Sequence, residues 1–191
     1  MSTRKAPTKA PAKRKRAAGR ARPAAGPYAD FMARAYVMEV DAAERYADFA
    51  DQMDVHNNPE VAELFRKLSR IEALHAKRIL EEMGWKQPPH ALLTWRWDAP
   101  EPPETAAHSE VHYLMQPYHA LQLALRNEQR AEKFLARIAR APKTPPAVKR
   151  AAAEMAGEER EHVRLIQGWM KRVPKPAKDW DRDPDPPVLG D

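Results

Sequence analysis

The 191-residue chain contains no cysteine. That absence removes disulfide frameworks, thiol nucleophiles, zinc ribbons and thiolate-bound iron centres, so any metal must sit on His, Asp or Glu. Long apolar runs are also missing. No window approaches the roughly 18 consecutive apolar residues of a membrane-spanning helix, and the first 30 residues lack the apolar core of a secretory signal. A soluble, cytoplasmic protein without a membrane partner is therefore expected. Acidic residues are absent from the first 29 positions, which hold nine Lys/Arg, so the remainder of a chain with 33 Lys+Arg and 27 Asp+Glu is acidic.

In that opening stretch Ala, Pro, Lys and Arg alternate without apolar periodicity, and Pro7, Pro11, Pro23 and Pro27 forbid a long helix. It cannot bury enough to offset its ordering entropy, so residues 1–27 are expected to form a disordered basic arm. Nine cations would bind DNA through phosphates with steep salt dependence and no base readout. A solubilising arm and an organelle transit peptide are the alternatives. Residues 174–191, with five Pro and five Asp, are expected to be a flexible tail. One globular unit, 28–173, lies between.

Within that unit, Tyr36, Ala42, Ala43, Tyr46, Ala50 and Met53 repeat at helical spacing, predicting a helix over Tyr28–Met53. Asn58-Pro59-Glu60 reads as a cap, a first-turn proline and a first-turn acid, opening a second helix that ends at Met83 before Gly84. Trp85–Ser109 holds five prolines and no sustained period, so it is a long connection. Within it Trp95-Arg96-Trp97 suggests a segment packing along the bundle, and four histidines in or near it (His90, His108, His112, His119) suit surface or capping roles. The third helix is predicted over Pro117–Arg140. The fourth is predicted from a Thr144-Pro145 cap to Val173. An offset of 87 carries Leu68 onto Met155, Glu72 onto Glu159 and His75 onto His162; an offset of 89 carries Glu39 onto Glu128. Two helical hairpins joined by one long crossover between helices 2 and 3 make an all-α, ferritin-like antiparallel four-helix bundle.

Four carboxylates fall where apolar residues belong. Glu39 follows Tyr36 by three and precedes Tyr46 by seven, whereas Glu44 and Asp48 point about 140° and 180° away. Glu72 and Glu159 each lie four residues after an apolar position and three before a histidine, His75 and His162; Glu128 sits midway between Leu121 and Leu135. Burying four carboxylates without positive charge costs several kcal/mol apiece, on the order of the penalty for any unpaired buried ion. A Glu from each of two helices, with Glu-x-x-His from each of the other two, is the ligand set of di-iron and di-manganese carboxylate bundles. The competing reading is a bundle whose Glu residues merely line the boundary. Tyr36 and Tyr46 read either as groups beside the metals or as core, and Glu132 as either a mobile extra ligand or, the preferred reading, a solvated boundary residue.

Helices one and three, with Glu39-x-x-Ala42-x-x-x-Tyr46 and Glu128-x-x-Ala131-x-x-Phe134, resemble the rubrerythrin and bacterioferritin branch of the ferritin-like superfamily. The resemblance implies Glu39, Glu72, Glu128 and Glu159 as terminal or bridging carboxylates and His75 and His162 as imidazole ligands. It implies two Fe ions, with Mn an alternative, and oxidation by O₂ or peroxide. The expected function is iron oxidation or peroxide reduction in oxidative-stress protection, with an unidentified electron donor. Two alternatives stand beside it: a di-iron hydroxylase of an organic or RNA substrate, and an iron-binding or DNA-associating protein with little turnover. A homodimer is compatible with all three.

Overall fold

The computed structural model describes residues 25–88 and 111–183. The basic arm through residue 24, Trp95-Arg96-Trp97, His90, His108 and the last eight residues lie outside the described residues. Four helices make up the fold: α1 Pro27–Val55, α2 Pro59–Met83, α3 Pro117–Arg140 and α4 Pro146–Met170. Each opens on a proline, whose missing N–H costs nothing in the first turn and whose φ is already helical.

The turns between helices follow from local chemistry. Gly26 precedes α1 at φ 103°, in the region open to glycine. Asn57 takes φ 53° in the α1–α2 turn, and the Asn58 side chain accepts from the Val61 N–H at 3.4 Å to cap α2. The same side chain donates to the Met115 carbonyl at 2.6 Å, tying the start of α2 to the residues before α3. Gly84 closes α2 in a left-handed conformation, φ 67°, with the Trp85 N–H reaching back to the Leu80 carbonyl. His119 serves the capping role expected of it: its Nδ1 accepts from the Gln116 N–H at 3.0 Å at the start of α3.

α1 packs mainly on α2, and α3 on α4. One core cluster joins the C-terminal half of α1 and the N-terminal half of α2 to the start of α3 and the end of α4, through Tyr46, Phe49, Phe65, Leu121 and Ile166. The other joins the opposite ends, through Phe31, Met32, Ile79, Leu135 and Ala152. Hence α2 and α3 run parallel, and the end of α2 and the start of α3 lie at opposite ends of the bundle, as the hairpin arrangement requires. Between the two apolar clusters lies a polar layer.

Two expectations are corrected. α4 begins after Pro145 with no side-chain cap from Thr144, and it ends at Met170, not Val173. Residues 174–183 do not leave the bundle: Trp180 packs against the first core cluster, with its ring 3.7 Å from that of His119 and 5.3 Å from that of His112. The Tyr113 hydroxyl donates to Asp183 at 2.5 Å. A tryptophan in a Pro/Asp-rich segment can anchor it, because even a partly buried indole removes a large apolar area from water. Among the described residues no helix is long and apolar enough to cross a membrane.

Candidate metal centre

The six residues singled out by their spacing meet in the polar layer. Glu39, Glu72, Glu128 and Glu159 are each at most 2% exposed, and His75 is 7% exposed. Glu44 and Asp48, one or two residues off the inward register, face solvent. Helical geometry explains the separation, since a shift of one or two positions turns a side chain by 100° or 200°.

Each histidine is held between two carboxylates by its Nδ1. That of His75 lies 3.3 Å from Glu39 Oε2 and 3.4 Å from Glu72 Oε2. That of His162 lies 3.1 Å from Glu128 Oε2 and 3.3 Å from Glu159 Oε2. The imidazole rings stack with centroids 4.7 Å apart and planes 4° from parallel, so the two half-sites abut. Ligand atoms within 4.8 Å of one another form three groups: Glu72, His75 and His162; Glu39, His75 and Glu159; Glu128, Glu159 and His162. Glu72 and Glu159 thus reach residues of both hairpins.

Protonation follows from this crowding. Burial pushes the Glu39 carboxyl up to about 8, opposed by His75 and reinforced by the charges of Glu72 and Glu159. Glu128 is likewise held well above the carboxylate range by burial and by Glu72. Burial also acts upward on Glu159, but hydrogen bonding to His162 and Glu128 outweighs it and leaves that group below its ordinary value. Burial favours the neutral form of both imidazoles, yet the flanking carboxylates win: His75 rises to about 10 through Glu39 and Glu72, and His162 to about 11 through Glu128 and Glu159. Without metal, two imidazolium charges therefore partly neutralise the layer.

That neutralisation is incomplete. Glu39 Oε2, both oxygens of Glu72 and Glu159 Oε2 are buried with no aligned hydrogen-bond donor. Natural interiors rarely leave four carboxylate oxygens so, because each forfeits its hydration without replacement. The donor set of carboxylate oxygens and imidazole nitrogens suits divalent iron or manganese, and the orphaned oxygens are the lone pairs such ions would take. The residues present fit a two-metal centre.

A sequence model of the Rubrerythrin family matches residues 30–111. No curated protein matches the chain. A crystal structure of an uncharacterized conserved protein from Magnetospirillum magnetotacticum MS-1 is 37% identical, covers 78% of this chain and 97% of its own, and superposes with a TM-score of 0.56. The chain belongs to the rubrerythrin family.

A feature that spacing did not single out lies next to this rubrerythrin-type layer. Asn127 is 1% exposed, one residue before Glu128. Its Nδ2 donates to the Tyr46 hydroxyl at 3.2 Å, and its Oδ1 accepts from Arg130 Nη2 at 2.6 Å. Tyr46 itself is core, stacked on Phe65, with a polar tip that needs this partner. The signal was present as a polar residue on the buried side of an amphipathic helix, but an amide one step from a stronger candidate reads as a boundary residue. Tyr36 is half-buried against the second core cluster. Glu132 pairs with Arg160 of α4 at 2.9 Å, a partner 28 positions away that no i,i+4 rule exposes.

Proposed function

We propose that this chain is a di-iron protein whose reduced centre reacts with O₂ or peroxide, in iron oxidation or peroxide reduction. The observation that carries the reading is the set of four buried carboxylate oxygens without an aligned hydrogen-bond donor, interleaved with two stacked imidazoles. Glu39 and His75 would hold one ion, Glu128 and His162 the other, with Glu72 and Glu159 shared between them. When bound, the iron pair supplies the electrons that reduce the oxidant.

The chain's own residues do the rest. Glu39 and the two imidazoles must release protons from positions where metal-free protein retains them near neutrality, so the ligand layer is a proton reservoir tied to loading. Apolar clusters on both sides limit water to the layer. Asn127 fixes the Tyr46 hydroxyl and, through the backbone, the register of Glu128. A cavity of about 330 Å³ opens between α1 and the α3–α4 turn, lined by Phe31, Met38, Phe134 and Leu135 among others, and none of the six ligand candidates lines it. It therefore lends no support to an organic substrate reaching the carboxylates.

The test is anaerobic Fe²⁺ loading followed by O₂ or peroxide, with absorption spectra and iron counted. One rapid oxidation is expected, then arrest until a reductant or fresh Fe²⁺ is added, because the chain has no cysteine-bound iron to return electrons. Loaded, reduced protein that ignores both oxidants yet hydroxylates an organic or RNA substrate once it binds would overturn the reading.

A further inference from the structure

Every exposed residue of α3 is a cation: Arg126, Arg130, Lys133, Arg137 and Arg140. Their separations of four, three, four and three keep them on one stripe, about 21 Å long at 1.5 Å per residue. The acid beside them, Glu132, is occupied by Arg160. Lys133, Arg137 and Arg140 line a shallow groove of about 530 Å³ with Glu132, Ala136 and Ala141.

The stripe is not a generic solvated face. The 89-residue offset that carries Glu39 onto Glu128 also carries Asp41, Glu44, Asp48 and Asp51 onto Arg130, Lys133, Arg137 and Arg140. Equivalent faces of the two hairpins thus have opposite sign, where a surface serving only solubility mixes signs.

We propose that the α3 stripe seats the sugar–phosphate backbone of a nucleic acid, bound without regard to sequence. Among the described residues the exposed large apolar side chains are Val55, Leu74 and Leu165, on α1, α2 and α4. α3 has none. A helix lying on a membrane needs an apolar face to bury, and a stable protein interface needs an apolar centre, while surface ion pairs between two copies contribute little. A phosphate backbone asks only for cations at short intervals. Four of the five are arginines, whose forked donors suit phosphate oxygens. The acidic face of α1 repels the same polyanion, so the bundle would meet it with one side. Phosphate contacts carry no sequence information, and the nine cations near the N-terminus add to the same attraction.

The experiment measures binding of a fluorescent mixed-sequence DNA duplex to the full chain across a salt series. Lys133→Gln with Arg137→Gln and Arg140→Gln should weaken binding about tenfold or more at low salt. It should also flatten the slope of log affinity against log salt by about 3, roughly one unit per lost phosphate contact. Lys133→Arg with Arg137→Lys and Arg140→Lys should bind as the parent does. Melting temperature and metal content should be the same in all three proteins, and a scrambled duplex should bind equally. Unchanged affinity and slope in the glutamine variant would overturn the proposal. So would equal weakening in the charge-conserving variant, or binding to phosphatidylserine vesicles with none to the duplex. Self-association abolished by the glutamines while duplex binding stays intact would overturn it too, in favour of a second copy.

Discussion

The two half-sites are built from equivalent positions on equivalent hairpins, and their geometries agree closely. Each imidazole lies 3.1–3.4 Å from two carboxylates, one on its own helix and one on the helix before it. Their surroundings differ. The side chain of His75 is 9% exposed and that of His162 is 16% exposed. Only the second half-site has an aligned hydrogen bond from imidazole to carboxylate, His162 to Glu128. The repeat therefore dictates which groups meet, while packing of non-repeated residues decides how dry each meeting is. The α1–α2 half is the drier and the less satisfied, and it has more to gain from a cation.

The largest effect should come from the two shared carboxylates. Glu72→Ala with Glu159→Ala should remove both ions, while Glu39→Ala or Glu128→Ala should each lose about one; metal analysis after Fe²⁺ loading reads the stoichiometry. Retention of two ions by the double variant would mean that these two glutamates are not shared.

Next in size is the histidine pair in metal-free protein. His75→Ala leaves Glu39 and Glu72 without their cation and should cost about 3 kcal/mol, the range for breaking a buried ion pair. His162→Ala should cost less, since water reaches that side chain more readily. Denaturant unfolding of the chelated variants checks the order, and equal losses would dissolve the contrast between the halves.

Titration should set metal-free and metal-loaded protein against each other. Raised imidazole pKa values stabilise the fold fully below about 6.5, and that contribution is lost as pH rises through about 10 for His75 and 11 for His162. Glu39, raised from 4.5 to about 8, binds its proton more tightly when folded and also loses stability as pH rises across that window. Glu159, held low, acts in the opposite sense, stabilising the fold above about 4.5 and ceasing to do so in acid. Metal-free melting should therefore fall between pH 5 and 9. Metal affinity should rise over the same range, because loading expels those protons. Melting curves with and without chelator at three pH values distinguish the two slopes.

The smallest effect concerns the helix starts that the 87-residue offset aligns. Asn58 caps α2, whereas Pro145 stands before α4 without a side-chain bond. Asn58→Ala loses both the cap and the bond to the Met115 carbonyl and should cost about 2 kcal/mol, and Pro145→Ala should stay within about 0.5 kcal/mol, as an exposed substitution without such a role. Urea midpoints measure both.

Much of this was legible in the residues. α2 and α3 keep the bounds that their caps and prolines predict, Pro59–Met83 and Pro117–Arg140, because a first-turn proline and a terminal glycine or β-region residue are strictly local signals. The six buried polar residues were legible for a different reason: a carboxylate on an apolar stripe violates the pattern around it, and the same violation recurs one repeat later. The end of α4 was not. Val173 continues the apolar period, but the chain turns after Met170 so that Val173 and Trp180 can pack on the first core cluster. Asn127 was missed since its partners, Tyr46 and Arg130, identify it only when α1 and α3 are side by side.

By itself the sequence determined the helices, the hairpin repeat and the inward register of four glutamates and two histidines, since each depends on spacing along one helix and spacing is local. The tertiary structure alone decided what depends on distances between helices. It stacked His75 on His162 and left four carboxylate oxygens without an aligned hydrogen-bond donor. It drew the C-terminal tryptophan onto the core, and it joined Glu132 of α3 to Arg160 of α4. Burial and charge pairing arise from neighbours far apart in the chain, and no periodicity within a single helix contains them.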